Sequence, residues 1–160
     1  MNEISELQEI IDNSDNIVFF GGAGVSTESG IPDFRSEKGV FKSLEKYGHS
    51  PEYLVSHTYY MNHPEEFFNY YKENLIFKDA MPNPAHLKLA ELEKAGKLKA
   101  VITQNIDGLH QKAGSKNVLE LHGSIHRNYC EICHEEYDLD YILNSDGIPR
   151  CECGGIIKPD

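Results

Sequence analysis

The chain has 160 residues, enough for one domain and a small inserted module. Hydrophobic residues make up 39% and aromatics 10%, so a packed core is expected rather than disorder. A formal net charge of -11 argues against a nucleic-acid or anionic-membrane surface, which needs clustered Lys and Arg; it suits solubility first and a basic peptide partner second.

The chain opens with Ile4, Leu7, Ile10 and Ile11 at helical spacing, a short amphipathic helix. This acidic start is the opposite of a signal peptide, and no apolar run approaches the length of a transmembrane span. The expected compartment is therefore the cytoplasm, with reduced thiols and no membrane partner. Ile17 to Phe20 reads as a buried strand running into GGAGVSTESGIPDFRS, residues 21–36. A strand that enters a Gly-x-Gly turn, here Gly22-Ala23-Gly24, brings bare backbone up to a dinucleotide pyrophosphate. Glycine suits the tight turn and the close approach of phosphate oxygens. Such a tripeptide is common at strand ends, but Ser29 to Arg35 adds tight-turn, charged and aromatic residues to the same loop.

Residues 37–82 are rich in aromatics, from Phe41 to Phe77, with Pro51 and Pro64 where helices could begin. They read as two or three short helices covering the glycine loop, their aromatics forming core. Asn83 and Pro84 suit the start of a helix through Leu87, Leu89 and Leu92 that stops at Gly96. LKAVI, residues 98–102, forms a second strand ending in Thr103-Gln104-Asn105, and Val118 to Leu121 a third ending at His122-Gly123. The fold class is thus α/β, a Rossmann-like parallel sheet with a helical insertion and a four-Cys zinc module. Three strands are half of a doubly wound sheet, so the sheet is incomplete and the chain is expected to be an N-terminal portion of something longer.

All four cysteines lie together: Cys130-x-x-Cys133, seventeen residues, then Cys151-x-Cys153. Two close pairs match one tetrahedral structural zinc, with no ligand position left open for catalysis. The second pair is tighter than usual, and the freedom of Gly154 and Gly155 would let both sulfurs face one metal. Two disulfides or free thiols are the alternatives, both poor in a reducing compartment. His126 and His134, nearby, read as surface residues.

GAGVS, GIPDFR, TQNIDGLHQKAG (103–114), ELHGS (120–124) and the cysteine pairs, in that order, resemble the sirtuins, the NAD-dependent protein lysine deacylases, from about residue 16 to residue 160. The resemblance implies an NAD-binding domain over 1–36 and 83–124, the helical insertion over 37–82, a zinc module over 125–157, and the start of a further part at 158–160. It implies that Gly22, Ala23, Gly24, Thr27, Asp33, Phe34 and Arg35 hold NAD, with Phe34 covering the nicotinamide pocket. Gln104, Ile106 and Asp107 would line the nicotinamide and ribose side, and Asn105 would order the ribose or a water. His122 looks like the family's general base, and imidazole chemistry agrees, because it titrates near neutrality. Outside that context a strand-end His reads as a hydrogen-bonded structural residue; His110, in the neighbouring motif, reads as structural.

The implied reaction starts with the acyl-lysine carbonyl attacking the nicotinamide ribose. Nicotinamide leaves, an O-alkylimidate forms, and His122 then deprotonates a ribose hydroxyl. Free lysine, O-acyl-ADP-ribose and nicotinamide result, from NAD and acyl-lysine proteins or peptides. Because the family's later segments complete the sheet and hold the adenosine half of NAD, the resemblance implies little activity and marginal stability for these 160 residues alone. Sirtuins that prefer succinyl or malonyl groups carry a Tyr-x-x-Arg pair; Phe68 and Tyr71 stand there, with Lys72 as a possible substitute cation, which favours acetyl or a longer neutral acyl group. The competing readings are a sirtuin-like protein ADP-ribosyltransferase, a non-enzymatic zinc-containing interaction module, and an ordinary Rossmann oxidoreductase. The last leaves the long insertion and the cysteines unexplained.

Overall fold

A computed structural model describes residues 2–33 and 37–160. Helix α1 (Glu3–Asp12) starts where the Asn2 side chain accepts from the Ser5 N–H, with Glu3 and Glu6 in its first turn complementing the helix dipole. Its carboxyl end is tied to the sheet by Lys97, whose Nζ donates to the carbonyls of Ile11, Asp12 and Ser14.

The main sheet has the order β1 (Ile17–Gly21), β2 (Leu98–Thr103), β3 (Val118–Glu120), all parallel. Its register sets Gly21 beside Thr103 and Thr103 beside Glu120. The three strands therefore end in one row, and the loops that follow emerge side by side. Between β2 and β3 lies α7 (Leu109–Ala113), and ahead of β2 lies α6 (Pro84–Lys94). A capping box starts α6: the Asn83 side chain accepts from the N–H groups of Ala85 and His86, and His86 Nδ1 accepts from the Asn83 N–H.

The aromatic stretch holds four helices rather than two or three: α2 (Glu37–Tyr47), α3 (Pro51–Leu54), α4 (His57–Asn62) and α5 (Pro64–Asn74). Ser50 and Ser56 each cap a new helix start, accepting from the N–H groups of Tyr53 and Tyr59, and Pro51 and Pro64 sit in first turns. Local caps thus cut one aromatic run into short pieces. These helices bury Leu54, Tyr59, Tyr60, Phe67, Phe68, Tyr70 and Tyr71 in one cluster with Ile125, Leu139, Ile142 and Ile157. Each such side chain contributes roughly 1.5–3 kcal/mol on burial. The last four come from beyond β3, so insertion and cysteine-bearing module share one core.

That module is an antiparallel sheet, β4 (Asn128–Cys130) between β5 (Glu136–Tyr137) and β6 (Ile157–Pro159), with α8 (Leu139–Asn144) capped by Asp138. Among the described residues no helix is long and apolar enough to cross a membrane.

Candidate functional site

The row of strand ends opens onto a cavity of about 540 Å³. Ala23, Ser26, Ile31 and Pro32 reach it from the loop after β1, and Gln104, Asn105, Ile106 and Asp107 from the loop after β2. His122, Ser124 and Ile125 reach it from the loop after β3, while Tyr60, Phe67, Tyr71 and Leu75 form an apolar wall opposite. A polar floor facing an apolar wall is the usual make-up of a small-molecule site.

The glycine loop is a 3-10 helix, Ala23–Ser29, ended by Gly30 in the left-handed region at φ 83. This tight turn buries the Ser26 side chain beneath the cavity. Ser26 Oγ donates to Asp107 Oδ2 at 2.7 Å and accepts from Asn105 Nδ2 at 3.0 Å. His86 Nε2 lies 3.5 Å from the same hydroxyl. Because His86 Nδ1 accepts from a backbone N–H, its proton sits on Nε2 and points to Ser26. The other oxygen of Asp107 accepts from the Leu109 N–H at 2.9 Å. Asn83 joins the cluster, donating to the Val25 carbonyl and to Ser29 Oγ.

Behind this floor the His110 ring lies 4.7 Å from that of His86, centroid to centroid, and 5.8 Å from that of Phe19. Neither His110 nitrogen has a hydrogen-bond partner among the described residues. Burial, with His86 next to it, pushes His110 down to about 4, and burial lowers His86 as well. Both imidazoles are therefore neutral at pH 7. His122 is exposed, and its Nδ1 lies 3.1 Å from the Gln104 carbonyl. A carbonyl can only accept, so in the neutral ring Nδ1 carries the proton and Nε2 is left as an acceptor.

Of the sequence-derived candidates, Ala23, Gln104, Asn105, Ile106, Asp107 and His122 are brought together on the cavity. Gly22 caps the 3-10 helix in extended conformation, and a side chain there would come within 3.3 Å of Gln104 Oε1. Gly24 faces open space, Thr27 bonds back to the Gly24 carbonyl on the exposed side, and Asp33 flanks the loop; none of the four lines the cavity. Phe34 and Arg35 lie outside the described residues. Ser26 and His86 were missed: Ser26 was hidden in a string read for its glycines, and His86 in a segment read only for its cap. A titratable ring in the first turn of a helix, one turn before Leu89 and Ala90, was the available signal.

At the acyl-selectivity positions, Tyr71 lines the cavity, while Phe68 is fully buried in the aromatic core. Lys72 reaches away, its Nζ donating to the carbonyls of Ser145 and Gly147, and is absent from the cavity wall.

The four cysteines are free thiols whose sulfurs all lie within 4.8 Å of one another. Cys130 and Cys153 are 3.4 Å apart, Cys133 and Cys151 3.5 Å. A tetrahedral zinc with 2.3 Å bonds sets sulfurs about 3.8 Å apart, so the cluster fits one ion. Donors already face the sulfurs: the Ile132 N–H approaches Cys130, and the Tyr137 hydroxyl donates to Cys151 at 3.1 Å. His126 and His134 are both exposed and stand outside the cluster.

The protein is similar over its whole length to an NAD-dependent protein deacetylase of Clostridium acetobutylicum, 60% identical over 162 residues, and covers 66% of it. It is 62% identical over 160 residues to that of Clostridium perfringens, with 99% of this chain and 66% of the relative covered. The chain thus spans somewhat less than two thirds of these relatives. Among solved structures, a Sir2 with a p53 peptide and NAD+ superposes with a TM-score of 0.82 at 41% identity, covering 99% of this chain and 63% of the other. A Sir2 with a deacetylated p53 peptide and 3'-O-acetyl ADP-ribose gives 0.86 at 41% identity, covering 99% and 64%. The Sir2 family model matches residues 22–160, which takes in every loop of the cavity and all four cysteines, and the chain belongs to that family.

Proposed function

We propose that the protein is an NAD-dependent protein lysine deacylase, converting acyl-lysine and NAD to free lysine, nicotinamide and O-acyl-ADP-ribose. The observation that carries this reading is the pairing, on one cavity, of His122 with Nε2 free to accept a proton and a floor made by Ser26, Asn105 and Asp107. His122 takes the proton from a ribose hydroxyl, and its anchor on the Gln104 carbonyl keeps that nitrogen turned to the substrate. Asn105, held by Ser26, orients the ribose or a water, and Asp107, held by Ser26 and the Leu109 N–H, lines the nicotinamide and ribose side. Ala23, Ile106 and Gln104 shape the pocket, with Gly22, Gly24, Thr27, Asp33, Phe34 and Arg35 assigned to the rest of NAD. Cys130, Cys133, Cys151 and Cys153 would hold one zinc ion that cross-links the module and supplies no chemistry to the reaction.

The apolar wall of Tyr60, Phe67, Tyr71 and Leu75, with Lys72 turned elsewhere, suits acetyl or a longer neutral acyl group over succinyl. Acyl-lysine proteins or peptides are the partners, and the cytoplasm, where thiols stay reduced, is the compartment. The relatives' names and the peptide and NAD complexes of the neighbours support this reading. Mass spectrometry of an acetyl-lysine peptide incubated with NAD and the protein tests it, in the 160-residue chain and in one extended to the length of its relatives. Free lysine and O-acetyl-ADP-ribose, lost in His122→Ala, are expected from the extended form. ADP-ribose on protein without deacetylation would instead make it a transferase.

A further inference from the structure

An ion-pair cluster lies at the edge of the cavity, where the main sheet hands over to the zinc module and Asp160 reaches the cavity wall. The chain leaves β3 at Glu120, passes His122, reaches Arg127, and returns along β6 to Asp160. The two segments cross closely. The Asp160 N–H donates to the Arg127 carbonyl at 3.0 Å. Gly123, in the left-handed region at φ 74, passes so near that a side chain there would lie 2.5 Å from the Asp160 carbonyl oxygen.

Arg127 grips a carboxylate on each side of this crossing. Its Nη1 donates to Glu120 Oε2 at 2.7 Å, and its Nε and Nη2 both donate to Asp160 Oδ2, at 2.9 and 2.6 Å. Glu120 is no ordinary surface partner. Its side chain is 7% exposed, and its other oxygen accepts from Gln111 Nε2 of α7 at 2.8 Å. One planar fork thus joins the end of β3, the way into the module and the way out, a geometry that the point charge of a lysine cannot reproduce. The cluster closes the loop 121–126 at its base, and His122 sits on that loop with an exposed ring and, among the described residues, one ring hydrogen bond, to Gln104.

We propose that Arg127 is a positioning residue: by clamping Glu120 to Asp160 it fixes the loop that sets His122 against the cavity. The inference rests on the deacylase reading above. In that reaction nicotinamide leaves before His122 acts, so nicotinamide exchange reports binding and the first step, whereas lysine release also needs the base in place.

The test uses the zinc-loaded protein extended to the length of its relatives, as wild type, Arg127→Gln and Arg127→Lys. Three things are read: deacetylation turnover, exchange of labelled nicotinamide into NAD, and amide hydrogen exchange of residues 121–126. Arg127→Gln is expected to lower deacetylation roughly tenfold. Nicotinamide exchange should stay within about twofold of wild type, and amide exchange of the loop should speed up. Arg127→Lys should recover only part of the loss. A parallel fall in both activities, or no change in either, overturns the proposal. A wild type that releases no lysine would refute the deacylase reading instead. Loop exchange then decides for the clamp alone, and an unchanged rate in Arg127→Gln overturns it.

Discussion

Replacing Gly155 by alanine is a direct test of the metal centre. A Cβ on this residue would lie 2.6 Å from Cys130 Sγ, and 3.1 and 3.2 Å from Cγ1 and Cβ of Ile132. Favourable carbon contacts begin near 3.5 Å, so the sulfur or the backbone must give way by roughly an ångström. Neither moves cheaply: the Gly155 carbonyl accepts from the Cys151 N–H, and Cys130 is the last residue of the central strand β4. Overpacking of this kind costs about 1–3 kcal/mol. Much of that would fall on the bound state, weakening zinc by roughly 5- to 150-fold. Competition against a chromophoric chelator measures it. Gly154→Ala is the control: at φ 86 it suffers backbone strain of about 1 kcal/mol, but its Cβ meets no atom within 4 Å. Zinc affinity of Gly155→Ala within about twofold of wild type, or an equal loss in Gly154→Ala, would show that contact with the sulfur is not the cause.

Three further outcomes are expected. His110 titrates at about 4 in the fold and near 6.5 when unfolded, so the unfolded chain takes up protons first as pH falls. Its contribution is intact above pH 6.5 and is lost between there and pH 4, about 2 kcal/mol by pH 5; urea titrations at pH 7.5 and 5 should show that loss, and His110→Gln should shrink it. Tyr71 buries a hydroxyl with no partner among the described residues, so Tyr71→Phe should raise stability by about 1 kcal/mol; a lower melting temperature would mean the hydroxyl is bonded after all. Ser26→Ala removes the group shared by Asp107 and Asn105 and should weaken NAD binding about tenfold in calorimetry of the extended protein, whereas unchanged affinity would detach this floor from NAD.

The parallel strands were legible because their apolar runs are bounded by Gly, Thr-Gln-Asn and His-Gly, and the cysteines because two close pairs allow little else. The number of helices in the insertion was not, since Ser50 and Ser56 act as caps only once a short turn has formed, and serine is common everywhere. The directions that Tyr71 and Lys72 take were equally hidden, because neighbouring positions on a helix point about 100° apart and only packing decides which of them meets the cavity. Ser26 and His86 stand sixty residues apart and meet through the parallel pairing of β1 with β2, a long-range contact that no local pattern encodes.

That pairing also sets the order in which the molecule can assemble. Ile17 must find Leu98 across about eighty residues, and closing so long a loop costs roughly 4 kcal/mol of chain entropy before any contact repays it. The β4–β5 hairpin and the contacts of α3 with α4 and of α4 with α5 join near neighbours in sequence and face no such barrier. Pulse-labelling hydrogen exchange should therefore find protection at 51–74 and 128–142 before 17–21. Once the insertion has collapsed, the effective distance between β1 and β2 is shorter, and the helices act as the staple that lets the sheet zip up. On this order the strand ends come into line only then, and the cavity is expected to form after the insertion and the hairpin.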